Sequence, residues 1–346
     1  MRRRDFLSAA LVAPAVLRST SRTLAASRTF EITTRVELDA AGPALAWVPL
    51  PLARESSYQR EQGHTIEGNP SRRRVDVVDG APMVVAEWRG GPTPVLVVTA
   101  RVTTMDHRVD LRRPAARTRP ASLSHYLRPT ALIPIDGIVR DTALAITKGQ
   151  RTELGRARAI YDWIVENTVR NPEVKGCGLG DIRWMLETKN LSGKCADLNA
   201  LFVGLARAAG LPARDLYGIR VAPSAQFPSL GRSGGDITTA QHCRAEVYVD
   251  QFGWVPVDPA DVRKLILEER PQAGLSDAYV SRVRETLFGS WEMNWIAFND
   301  AHDVVLPGST GKPLPFLMYP QAEVGGARRD SLDPAAFRYT ITVRAL

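Results

Sequence analysis

The chain has 346 residues, 44% of them hydrophobic and 24% charged, which is ordinary globular composition with ample material for a sizeable core. No apolar run reaches 18 residues, so no transmembrane helix is expected. The formal charge of +8 is inflated by the first 25 residues, where five arginines face one aspartate. The remaining excess of about +4 is scattered, clustering only in SRRRVD (71–76), and carries no nucleic-acid footprint.

The N-terminus, MRRRDFLSAALVAPAVLRSTSRTLAAS, has a basic n-region, a short apolar stretch from Phe6 to Leu17, and small residues near Ala25 and Ala26. That pattern predicts a signal peptide over 1–26. The order RRDFL resembles a twin-arginine signal, so the mature protein is expected outside the cytoplasm, periplasmic or extracellular and exported folded.

Residues 28–125 predict an accessory β domain of sandwich type. Its expected strands are 30–38, 44–52, 73–80, 81–90 and 93–105, rich in β-branched residues and punctuated by Gly, Pro and Asn. Nothing in it assembles chemistry, and His64 and His107 read as isolated surface residues. The proline-rich segment 112–136 reads as a linker.

Helices are predicted over 136–147, 151–170 with Thr152 as N-cap, 180–190, and from Cys195. In the last, Leu198, Leu201, Phe202, Leu205 and Ala209 form one stripe, Asp197 lies in the first turn, and Gly210 is the stop. Cys195 thus opens a helix, two residues after Gly193. A thiolate there is stabilised by the helix dipole and by free N–H groups, which also suit an oxyanion.

A strand is expected at 215–222, then a long Gly/Ser-rich loop at 223–241 of the kind that often carries function. A hairpin follows, 242–250 with 254–261, and strands near 286–306 and 337–345 close the second domain. If Arg244 pairs with Asp258, the turn is Asp250–Phe252, and His242 and Asp258 become diagonal neighbours on one face. An odd register would separate them. Arg244 and Glu246 share that face but read as ordinary exposed strand charges, and His302 beside Asp303 reads as structural.

The stretches SGKCADLNALFVGLARAAGLPAR, HCRAEVYVDQFGWVPVDPAD and RAIYDWIVENTV together resemble the transglutaminase-like superfamily over roughly residues 130–310. The resemblance implies an α+β papain-like core over 126–346, with the Cys-bearing helix packed on an antiparallel sheet. It implies Cys195 as nucleophile, His242 as base and Asp258 as orienter of the imidazole. The expected function is an exported thiol hydrolase or acyltransferase working through a Cys thioester on carboxamide or peptide bonds. The expected partner is a peptide or protein substrate, with the cell envelope one source, and neither nucleic acid, cofactor nor metal is expected. Ala196 stands where the eukaryotic crosslinking enzymes carry Trp, and hydrolysis and transamidation both stay open. The rival reading is an inactive module that binds peptide or envelope polymer. Cys177 and Cys243 are candidate disulfide partners behind the cleft, with two unpaired thiols as the alternative. A metal site built from Cys177, Cys195, His242 and Cys243 is disfavoured, because strand alternation points residues 242 and 243 apart.

Overall fold

The computed structural model describes residues 26–40, 42–53, 56–115 and 119–346. All but the last residue of the expected export signal lie outside them. The first strands are β1 (Ser27–Glu37), β2 (Ala44–Pro49), β3 (Gln59–Gly68), β4 (Arg72–Val78), β5 (Ala81–Trp88) and β6 (Val95–Met105), followed by the short β7 (His107–Arg108). Next come α1 (Gly137–Ile146), α2 (Glu153–Asn167), β8 (Val169–Arg170), α3 (Ile182–Thr188), β9 (Ser192–Gly193) and α4 (Cys195–Ala208). β10 (Ala213–Arg220), β11 (Gln241–Val249), β12 (Gly253–Val257), α5 (Pro259–Glu269) and α6 (Ala278–Thr286) follow. The chain ends through β13 (Ser290–Trp291), β14 (Trp295–Asn299), β15 (Gln321–Val324), β16 (Ala327–Arg328) and β17 (Arg338–Ala345).

The β-rich region is a sandwich of two antiparallel sheets, ordered β17-β1-β6-β3 and β16-β15-β2-β5-β4. Alternation along β1 and β6 sends Val36, Leu96 and Val98 inward against Val48, Val84 and Ala86 of the facing sheet. Both sheets take strands from the C-terminal 26 residues. β17 pairs with β1 along its length, and β15 pairs with β2. The expectation that 337–345 completes the second domain is therefore corrected: this segment returns to the sandwich. Alternation in residues 337–345 marks a strand, but its partner lies some 300 residues away, which no local pattern encodes. Strand β3 also went unexpected, because QREQGHTIEG is mostly exposed and lacks an apolar face.

The second region packs helices on one face of an antiparallel sheet ordered β12-β11-β10-β14. α4 lies at its centre. Nearly every residue from Cys195 to Arg207 is buried, not only the predicted stripe, because α1, α2, α3 and α5 also pack around it. Thr152 caps α2 as expected, its Oγ1 accepting the Gly155 N–H at 3.0 Å. β12 ends at Val257, earlier than predicted, because Asp258-Pro259 starts a helix. Asp258 is the N-cap, accepting the Asp261 N–H at 3.1 Å, and Pro259 occupies the first helical position.

Candidate active site

The β11–β12 hairpin has the register that parity permits. Ala245 pairs with Val257 and Val249 with Gly253, leaving the three-residue turn Asp250–Phe252. Extending the ladder by one residue sets Arg244 opposite Asp258, with His242 diagonal to it on the same face. His242 Nε2 and Asp258 Oδ2 are 2.8 Å apart, both side chains almost fully buried.

Cys195 reaches this pair from the start of α4. The β8–β9 pairing sets Gly193 against Arg170 and delivers the chain to the helix. A Cβ on Gly193 would lie 2.5 Å from that of Asp197. Asp197 in turn fastens three segments. It accepts the Lys194 N–H through Oδ2, and the Leu179 and Gly180 N–H groups through Oδ1, each at 2.9 Å. The Ala196 N–H donates to the Cys177 carbonyl at 2.9 Å. The loop of residues 176–180 is thereby held against the helix start, and Gly178, at φ +94°, leaves the space that the Asp197 carboxylate fills.

That fastening decides the fate of the cysteines. All three are buried and free, so of the two alternatives for Cys177 and Cys243 the structure has unpaired thiols and not the candidate disulfide. The 176–180 loop carries Cys177 to the side of Cys195, where its Sγ lies 3.3 Å from the Gln241 carbonyl. Cys243 lies against Met318, its Sγ 3.8 Å from the thioether sulfur. Cys177 and Cys243 are also the neighbours that most affect the Cys195 thiol. Their hydrogen bonds, and then the His242 imidazole, hold the Cys195 thiol well below its ordinary pKa against the opposing effect of burial. The neighbouring thiols are pushed up: Cys177 chiefly by its bond to Cys195, Cys243 chiefly by burial. Cys195 is therefore the member of the trio that ionises.

His242 carries the complementary charge. Burial and the Arg220 guanidinium pull its pKa down. The carboxylates of Asp261 and Asp258 outweigh them and hold it at about 9. Since Nε2 faces Asp258, Nδ1 is the ring nitrogen left for Cys195. Asp261 and Arg220 were not foreseen. Asp261 Oδ2 lies 3.4 Å from His242 Nε2, and both Asp261 oxygens accept from Arg220 Nη2, at 2.6 and 2.8 Å. Burial opposes ionisation of Asp261, but Arg220 and His242 hold its carboxyl well below the usual range. The legible signal was D-P-A-D, a helix start whose third helical residue points back along the N-cap side chain. Asn199, one turn into α4, donates to the Cys243 carbonyl at 2.9 Å and approaches Asp258 Oδ1 at 3.4 Å.

His242, Asp258 and Asp261 offer three ligand atoms within 4.8 Å, enough to prompt the question of a metal. Their oxygens and Nε2 are already engaged with one another and with Arg220. Two carboxylates balance a guanidinium and an imidazolium, so the residues fit a charge network better than a cation site.

Other expectations change. Arg244 and Glu246 are buried, not exposed. Arg244 packs over Trp291 and Trp295 and lies 3.9 Å from Asp258, while Glu246 pairs with Arg214 at 2.5 Å and lies 3.3 Å from His107. His107 is correspondingly buried, whereas His64 is exposed as expected. His302 is half-buried beside Tyr217 and Asp215.

Cys195 and His242 lie in the wall of a cleft of about 460 Å³. The 223–241 loop forms one rim, stitched to β17 by Ile237 N–H to Ile341 O and Val343 N–H to Gly235 O, each at 2.8 Å. A thiol at a helix start, an imidazole on the neighbouring sheet and a carboxylate behind it define the papain-like class of α+β folds. The chain belongs to the transglutaminase-like superfamily, whose family model matches residues 140–259. It is 36% identical to an uncharacterized protein of Haemophilus influenzae over 325 residues, covering 88% of this chain and 87% of that one. A solved structure from Cytophaga hutchinsonii, named as a candidate cysteine protease, superposes with a TM-score of 0.58 over 93% of this chain and 91% of that one. At 15% identity that likeness is one of fold.

Proposed function

We propose that this protein is an exported thiol enzyme that hydrolyses or transfers acyl groups from amides. The observation that carries the reading is the Cys195–His242–Asp258 line, with a lowered thiol pKa beside a raised imidazole pKa. Cys195 Sγ attacks the carbonyl carbon, and the C=O electron pair moves to oxygen. Collapse breaks the C–N bond as His242 Nδ1 protonates the departing amine, leaving a thioester. Neutral His242 then takes a proton from water or an amine, whose attack breaks the C–S bond and restores the thiolate–imidazolium pair. Asp258 keeps the imidazole oriented.

Two donors suit the oxyanion. The Cys195 N–H is the first of its helix and has no intrahelical acceptor. Gln241 precedes His242 in the cleft wall, and its buried Nε2 has no hydrogen-bond partner. Gln241→Ala is expected to lower turnover by roughly 10²–10³-fold with a smaller change in KM. Equal changes in KM and none in kcat would assign Gln241 to substrate binding instead.

The reading is tested by iodoacetamide labelling of the folded chain across pH, with each cysteine mapped by mass spectrometry. Cys195 is expected to label at a rate nearly independent of pH from about 6 to 8, whereas an ordinary thiol of pKa about 8.5 gains nearly tenfold per pH unit there. Cys177 and Cys243 stay unlabelled. A tenfold-per-unit slope at Cys195, or no labelling at all, removes the nucleophile and favours a peptide-binding module.

A further inference from the structure

Resting on the reading above, we infer that the cleft selects acyl donors that carry a carboxylate close to the scissile amide, such as acidic peptides. The cleft is lined by seven Arg or Lys side chains and, among the described residues, by no Asp or Glu. Some of these cations are spent inside the fold. Arg220 is committed to Asp261, while Lys175 and Arg338, both largely exposed, pair with Asp330 and Glu37 at the rim.

Others are not spent. Among the described residues no carboxylate lies within 4 Å of Arg170 or Lys194, and Arg170 Nη1 is buried without a hydrogen-bond partner. Both are tied to the nucleophile through the backbone. Lys194 immediately precedes Cys195, and Arg170 is set beside Gly193 by the β8–β9 pairing. Lys264 of α5 also lines the cleft, although its ammonium donates to the Ser229 carbonyl and lies 3.5 Å from Glu268. Its pKa is lowered by burial and then by Arg220, with Arg170 adding to the effect, so the wall repels itself when empty. Such a wall leaves positive potential for an anion to neutralise. The lining also includes Leu332, Phe337 and Tyr339. A peptide in the cleft meets these cations together with apolar and aromatic side chains. The same wall disfavours a protonated lysine as acyl acceptor, because like charges would have to meet beside Cys195.

The test uses the full chain with Cys195→Ala, so that binding is read without turnover. Two neutral-capped octapeptides are compared by calorimetry, identical but for two glutamates or two lysines flanking a central glutamine. The glutamate peptide is expected to bind at least about tenfold tighter, with a preference that falls as salt rises. Arg170→Gln with Lys194→Gln should reduce that preference at least about fivefold, while Arg72→Gln on the distant sandwich should leave it unchanged. Circular dichroism confirms the fold of each variant. Equal affinity, tighter binding of the lysine peptide, or an equal loss in Arg72→Gln would overturn the inference. Iodoacetamide labelling of the Cys195 chain is independent of these outcomes, so failure here leaves the nucleophile standing.

Discussion

His242→Ala is expected to lower cleavage of an acyl p-nitroanilide by on the order of 10⁴-fold, and to slow the acylation burst on the matching p-nitrophenyl ester far less. The two substrates share an acyl group and differ in what must leave. An anilide nitrogen departs only if it is protonated, and in the proposed mechanism His242 is the proton donor. The nitrophenolate ion departs unaided, so its burst requires the thiolate alone. His242 is one of several groups that lower the Cys195 pKa, so its loss need not abolish the thiolate. Stopped-flow absorbance separates the two. Equal losses on ester and anilide would mean that His242 serves the thiolate and not the leaving group.

The pH profile follows from the same pair. The imidazolium persists to about 9, so anilide cleavage should hold through neutrality and fall above that value. Asp258→Asn removes one of the two charges that raise the imidazole, so its alkaline limb should move to lower pH. A limb that stays in place would assign Asp258 to capping α5 only.

Local pattern carried much of this site. The α4 stripe and its Gly210 stop placed Cys195 at a helix start, and the three-residue turn at 250–252 set the parity that brings His242 to Asp258. Both depend on residues close in sequence, where period and turn geometry are informative. What escaped depends on long-range closure. Arg220 meets Asp261 across two separate elements, and Cys177 meets Cys195 because Asp197 gathers a loop whose only local mark is KGCGLGD. The sandwich is legible as β structure, but its C-terminal strand at 337–345 reads as part of the second region, since a strand's partner is not written in its own alternation. Arg244 and Glu246 were misjudged for a related reason: alternation tells which face a charge occupies, not what covers that face.

Arg220→Ala should destabilise the protein by roughly 3–5 kcal/mol at pH 7, measured by urea unfolding. The guanidinium holds both oxygens of Asp261 and also donates to the Leu230 carbonyl within the loop rim. Its removal leaves a buried carboxylate with His242 as its remaining close cation. The sign of the pH dependence is determined by Asp261, whose native pKa is depressed. A depressed carboxylate stabilises the fold above its unfolded pKa, about 3.9, and that stabilisation is lost as pH falls through the lower native value. The gap between wild type and Arg220→Ala should therefore be full at neutral pH and narrow below about pH 4. The same substitution has an opposite effect on the imidazole. Arg220 pulls the His242 pKa down, so without it the proton is held more tightly and the alkaline limb of anilide cleavage should move above 9. A merely structural arginine would lower stability and leave the limb where it is. A variant that is less stable yet retains its proton donor to higher pH would show that Arg220 tunes the acid as well as holding the fold, and that the charge network behind His242 is part of how the thiolate and imidazolium coexist at neutral pH.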